Sequence, residues 1–174
     1  MREARPMGIE VNGIAHIQLT VRDAACVPFW ERLCHFLGMQ SLITADEIVY
    51  CIGGRTGILV RADEEAKDRG GFDQRRAGLH HLCFRARARE DVDAVHRFLV
   101  DTPGARIVHP PEDGPQFAPG YYSVLFEDPD GIRVEVNHVP GKGHFGAGGR
   151  LGPGGAGPAD RYGSEGLGGS RNER

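Results

Sequence analysis

The stretches "GIAHIQLTV" (residues 13–21) and "GLHHLCFRA" (residues 78–86) share one pattern. Each opens on a glycine and an aliphatic residue and carries a histidine three places after the glycine, His16 in one and His81 in the other. Each then alternates apolar with other residues, the period-two pattern of a half-buried strand. A helix pattern follows both. Phe29, Trp30, Leu33, Phe36 and Leu37 recur at helical spacing before Gly38, and Val92, Val95 and Leu99 do so before Pro103-Gly104. His16 and Gly38 are separated by 22 residues, His81 and Gly104 by 23. The two halves read as copies.

Short strands follow each helix: 40–44, 47–52 and 57–62 in the first half, 105–108, 120–126 and 131–138 in the second. The order is β-α-β-β-β, twice. The halves differ chiefly by "HPPEDGPQFAPG" (109–120), expected as an inserted loop because its prolines remove ladder donors. The expected organisation is an extension over 1–12, a first repeat over 13–64, a linker over 65–77, a second repeat over 78–140 and a tail over 141–174. The tail holds half of the chain's 26 glycines and few apolar residues, so it is read as disordered.

Neighbouring side chains on a strand point to opposite faces, so His80 and His81 are not equivalent. Aligning the repeats sets His81 opposite His16. Ile17, Leu19 and Val21, with Leu82, Phe84 and Ala86, then form the helix-facing sides. His16 and His81 point away from the helices. His80 falls on the helix side or the strand's edge and is assigned a structural role.

"EDPDGIRVEV" (127–136) reads as a turn and a strand, with Ile132, Val134 and Val136 on one face and Arg133, Glu135 and Asn137 on the other. Exposed glutamates are the norm, and a lone strand histidine is more often a surface or core residue than a ligand. The set changes the weighing. Two repeat-related histidines and a carboxylate lie on faces turned from their helices, and imidazole with carboxylate suits Fe, Mn, Ni or Zn as the divalent ion. Three protein ligands leave positions for water and substrate, as in catalytic sites.

The doubled unit, the histidine strands and the closing "DPDGIRVEV" resemble the vicinal oxygen chelate superfamily, which includes glyoxalase I, extradiol dioxygenases, fosfomycin-resistance transferases and bleomycin-resistance proteins. The resemblance spans residues 13–138. It implies an α+β fold whose two repeats form a curled mixed sheet around a metal-floored cup. It also implies His16, His81 and Glu135 as metal ligands, one divalent ion per site, a small-molecule substrate and a homodimer.

The sequence departs from named branches. Glyoxalase I adds an acid on the last strand of its first repeat, where this chain has Ile58-Leu59-Val60, with Asp63 and Glu64 just beyond. Extradiol dioxygenases carry a tyrosine ten residues before the glutamate, and position 125 here is leucine. Fosfomycin-resistance enzymes place a threonine where Gln18 stands. Lyase, isomerase or transferase chemistry is therefore favoured over Fe(II) ring cleavage, and an enzyme over a metal-free sequestering protein of the bleomycin-resistance type.

Around the expected ligands, Gln18, Arg85 and Arg133 are candidates to bind substrate, the arginines to hold an anion. Of Tyr121 and Tyr122 only one can face the cup. Tyr122 is chosen as the substrate-binding and catalytic phenol beside Glu135, because Val124 and Phe126 continue its face. His109 is read as a rim residue, and Cys83, two residues after His81, as a small packed thiol.

Net charge is −3 with mixed signs, and the basic cluster in 69–78 lacks aromatic interleaving, which argues against nucleic acid. Cys26, Cys34, Cys51 and Cys83 show no CxxC spacing. No apolar leader follows Met1 and no membrane span is evident. A cytoplasmic protein with reduced thiols is expected.

Overall fold

A computed structural model describes residue 11 and residues 13–141. Most of the expected extension and nearly all of the expected tail lie outside the described residues. The chain divides into two units, at Gly70 and Gly71.

The first unit runs β1 (His16–Val21), α1 (Val27–Phe36), β2 (Gln40–Ala45), β3 (Ile48–Gly53) and β4 (Thr56–Ala62). Its mixed sheet has the order β1-β4-β3-β2, with β1 parallel to β4 and the other pairs antiparallel. Strand alternation builds the core. Leu19, Val21, Val49, Cys51, Ile58 and Val60 are buried, as are Phe29, Trp30 and Leu33 of α1, which packs on β2, β3 and β4. Each such apolar side chain contributes about 1.5–3 kcal/mol when fully buried. Pro28 sits in the first turn of α1, where its missing N–H costs no helical bond. Gly38, at φ +78°, takes the left-handed conformation that ends the helix. Phe36 departs from the expected stripe. It is exposed, and Cys34 takes the buried position instead.

The second unit repeats the plan with β5 (Leu82–Arg85), α2 (Arg89–Val100), β6 (Arg106–Asp113), β7 (Tyr122–Glu127) and β8 (Arg133–His138). Its order, β5-β8-β7-β6, copies the first, again with one parallel pair. Val92, Val95 and Leu99 of α2 are buried, as are Leu82, Val124, Phe126, Val134 and Val136. The fold is α+β with two four-stranded mixed sheets, as the repeat implies.

One element corrects the sequence reading. Residues 109–113, expected in an inserted loop, belong to β6, which pairs with β7 as far as Asp113 and Tyr122. The register skips between His109 and Glu112, so Pro110 and Pro111 fall at an irregularity on an edge strand. That is where a missing donor is tolerated.

The "EDPDG" turn aims β8. The buried Asp128 carboxylate accepts from the backbone N–H groups of Asp130 (2.9 Å) and Ile132 (2.7 Å), and Gly131 adopts φ +86°. Glu127, also buried, is paired with Arg106 and with Arg133 Nε (3.1 Å). A buried carboxylate with two guanidinium partners is compensated.

Candidate active site

In the second unit, Val134 and Val136 of β8 turn towards the core, which leaves Arg133, Glu135 and Asn137 on the open face. Cys83 of β5 is the ladder partner of Glu135, and Leu125 of β7 flanks it on the other side. His81 precedes β5, and its Nε2 lies 3.1 Å from Glu135 Oε2. Tyr121 precedes β7 and donates its hydroxyl proton to Glu135 Oε1 at 2.5 Å. Asn137 Nδ2 donates to the Tyr121 oxygen at 3.1 Å.

Burial pushes the Glu135 carboxyl up, but hydrogen bonds from His81, Tyr121 and Ser123 outweigh it, and the acid is held below the ordinary range. Burial first, and then the bond to Glu135, raise the Tyr121 phenol, although its contact with Asn137 opposes the shift. Tyr121 is thus a protonated donor facing an ionised acceptor. Cys83 keeps solvent access, yet crowding around its sulfur and the neighbouring Glu135 charge push its thiol up. It is a poor nucleophile.

The phenol beside Glu135 is that of Tyr121, where the sequence reading chose Tyr122. Val124 and Phe126 do continue the face of Tyr122, but that face packs on α2. The Tyr122 hydroxyl donates to Asp93 of α2 at 2.7 Å, and the Arg89 guanidinium lies 3.5 Å over its ring. Tyr122 therefore belongs to the helix–sheet packing. His80 also differs from its assignment. Both histidines precede the first residue of β5, so strand alternation does not separate them, and their Nδ1 atoms lie 2.7 Å apart. Desolvation, then His81 and Arg133, hold His80 below the usual imidazole range.

Arg133 is tied to Glu127 through its Nε, while Arg85 is an exposed ladder partner of Asn137. His109 is exposed, with Nδ1 3.5 Å from Glu112.

In the first unit, His16 and Gln18 lie on the exposed face of β1, opposite the buried Leu19 and Val21. The Tyr50 ring lies edge-on to His16, with centroids 6.4 Å apart. It covers Gly57, the ladder partner of His16, where a Cβ would stand 2.6 Å from the Tyr50 ring. Tyr50 was not singled out from the sequence. Its signal was the alternation of "EIVYCI", in which Val49 and Cys51 are the core positions. Leu59, the ladder partner of Gln18, falls two residues after Gly57 on the open face. By the repeat, Leu59 stands where Glu135 stands in the second sheet.

His81 Nε2 and Glu135 Oε2 are a nitrogen–oxygen donor pair suited to a first-row divalent ion, and they converge. The pair fits as two ligands. Among the described residues, no group of three or more His, Cys, Asp or Glu side chains is drawn together to hold an ion. Nor is any helix among them long and apolar enough to cross a membrane.

Residues 13–136 match the family model of the glyoxalase/bleomycin resistance protein/dioxygenase superfamily. The chain belongs to that superfamily. It is 30% identical over 124 residues to the uncharacterized protein YqjT of Bacillus subtilis (strain 168), covering 70% of this chain and 94% of the relative. Among solved structures, a putative glyoxalase from Bacillus halodurans is similar at 29% identity and a TM-score of 0.62, with 74% of this chain and 96% of that one covered. A glyoxylase/bleomycin resistance protein/dioxygenase domain from Frankia sp. EAN1pec is similar at 26% identity and a TM-score of 0.58, with 74% and 98% covered. Superfamily membership fixes the fold; the reaction must be argued from the site.

Proposed function

We propose that this superfamily member is a divalent-metal-dependent enzyme of lyase, isomerase or transferase type acting on a small oxygenated molecule. The observation that carries the reading is the 3.1 Å approach of His81 Nε2 to an ionised Glu135, with a protonated phenol on the same carboxylate. His81 and Glu135 would hold the ion. When bound, it would act as a Lewis acid and a template for neighbouring substrate oxygens.

The chain's own groups divide the remaining work. Glu135 supplies the anionic donor, and Ser123 and Tyr121 keep it ionised. Tyr121 gives its one hydroxyl proton to Glu135, and would act as a general acid by turning that proton onto a substrate oxygen. Asn137 orients that hydroxyl through its own amide proton. Gln18, Arg85 and Arg133 stay as candidates for substrate contact.

A second reading has an observation in its favour. Both Glu135 oxygens already have partners, so the carboxylate is satisfied without a cation, as suits a metal-free small-molecule-binding protein. The test is turnover of α-ketoaldehyde–thiol adducts, epoxides and catechols by protein reconstituted separately with Fe(II), Mn(II), Ni(II) and Zn(II). The enzyme reading expects metal-dependent turnover of a non-catechol substrate. Oxygen-consuming cleavage of catechols with Fe(II) alone would replace it with dioxygenase chemistry. Tight ligand binding by metal-free protein without turnover would replace it with the binding reading.

A further inference from the structure

The two units differ at one position beside the repeated histidine. In the first, Ala15 precedes His16, the Ala15 carbonyl accepts from Gly57 N–H at 2.8 Å, and β1 begins at His16 itself. In the second, His80 precedes His81, and β5 begins only at Leu82. A regular strand would send the two rings to opposite faces. The later start lets both turn the same way, and they meet edge to face with centroids 5.0 Å apart and planes at 78°.

The 2.7 Å Nδ1–Nδ1 contact has room for one proton, so one ring donates and the other accepts. Two arrangements satisfy it. If His80 donates, the proton of a neutral His81 sits on Nε2 and points at Glu135, which accounts for the 3.1 Å contact. If His80 accepts, a His81 proton sits on Nδ1, the 3.1 Å contact is bridged by a second proton on Nε2, and a cation that displaces that second proton meets the bare lone pair it requires. His80 is itself exposed, so its ring gains little by burial. Its well-defined contact is His81.

We propose that His80 is a positioning residue for His81: its Nδ1 accepts the His81 Nδ1–H and thereby holds the His81 ring with a bare Nε2 directed at the Glu135 side when a divalent cation binds. The inference rests on the reading of His81 and Glu135 as cation ligands. Outer partners of this kind, once removed, cost about 10–100-fold in metal affinity.

The experiment is a Zn²⁺ titration against a competing chelator for the full chain and for His80→Ala, His80→Asn and His81→Ala, with ¹⁵N-histidine NMR of the wild type with and without Zn²⁺. His80→Ala should weaken Zn²⁺ binding about 10–100-fold at an unchanged melting temperature. His80→Asn, whose amide oxygen can take the acceptor position of Nδ1, should restore most of the loss. The ring spectrum of His81 should show the proton on Nδ1 once Zn²⁺ is bound. Wild-type affinity in His80→Ala, alongside lost binding in His81→Ala, would overturn the role of His80 and leave the ligand reading intact. So would failure of His80→Asn to rescue. Wild-type affinity in His81→Ala would overturn the ligand reading and this inference with it.

Discussion

Tyr121 donates its hydroxyl proton to Glu135 across 2.5 Å, whereas its neighbour Tyr122 donates to Asp93 on the opposite side of the sheet. The phenol of Tyr121 is raised by burial and by that bond. A raised phenol contributes stability that is fully present below the unfolded tyrosine pKa of about 10 and is lost as pH rises beyond it. Metal-free Tyr121→Phe should therefore lose less stability than wild type between roughly pH 9.5 and 11.5 in urea unfolding. Parallel curves for the two proteins would refute the bond.

The thiols give a second expectation. Cys34 is buried, and burial followed by the neighbouring Cys51 pushes it up; Cys83 is raised although solvent reaches it. Native protein at pH 8 should react slowly with a disulfide reagent at every cysteine, and all four should react rapidly in denaturant. A fast native thiol that disappears in Cys83→Ser would show that neither desolvation nor the Glu135 charge suppresses it.

Asp128 tests how the site is aimed. Its carboxylate satisfies two backbone donors in the turn that launches β8. Asp128→Ala should destabilise by about 2–4 kcal/mol, with Asp128→Asn milder, because a charge-assisted bond is worth about 1.5–3 kcal/mol. Urea unfolding of both variants measures this. A cost below 1 kcal/mol for the alanine would mean the turn holds without the carboxylate.

Gly57 tests the first unit. A Cβ there would stand 2.6 Å from the Tyr50 ring, so Gly57→Val should displace Tyr50 from beside His16 and cost about 1–3 kcal/mol. The ring proximity is read from cross-peaks between His16 and Tyr50 in NMR spectra. Retained cross-peaks in the variant would contradict the packing.

The strand-helix repeat was legible because apolar period and terminating glycines act locally, and both sheets follow it. The choice between Tyr121 and Tyr122 failed on a reversed parity. Leu82 and Phe84 mark the helix side of β5, and by the same alternation Val124 and Phe126 mark the helix side of β7, not the open one. Applied consistently, the alternation selects Tyr121. Pro110 and Pro111 misled because a bulged edge strand absorbs what a central strand cannot. The meeting of His80 and His81 was not legible, since it depends on β5 starting at Leu82, and strand ends are set by tertiary pairing.

His81 and Glu135 are proposed as the ligands of a divalent ion. Equilibrium dialysis against Ni²⁺ or Zn²⁺ followed by metal analysis, on wild type, His81→Ala and Glu135→Gln, decides the matter. The wild type should retain about one ion per chain, and His81→Ala and Glu135→Gln should each lose it. A wild type that retains no ion, or an ion that survives both His81→Ala and Glu135→Gln, would show that these two side chains do not hold a metal.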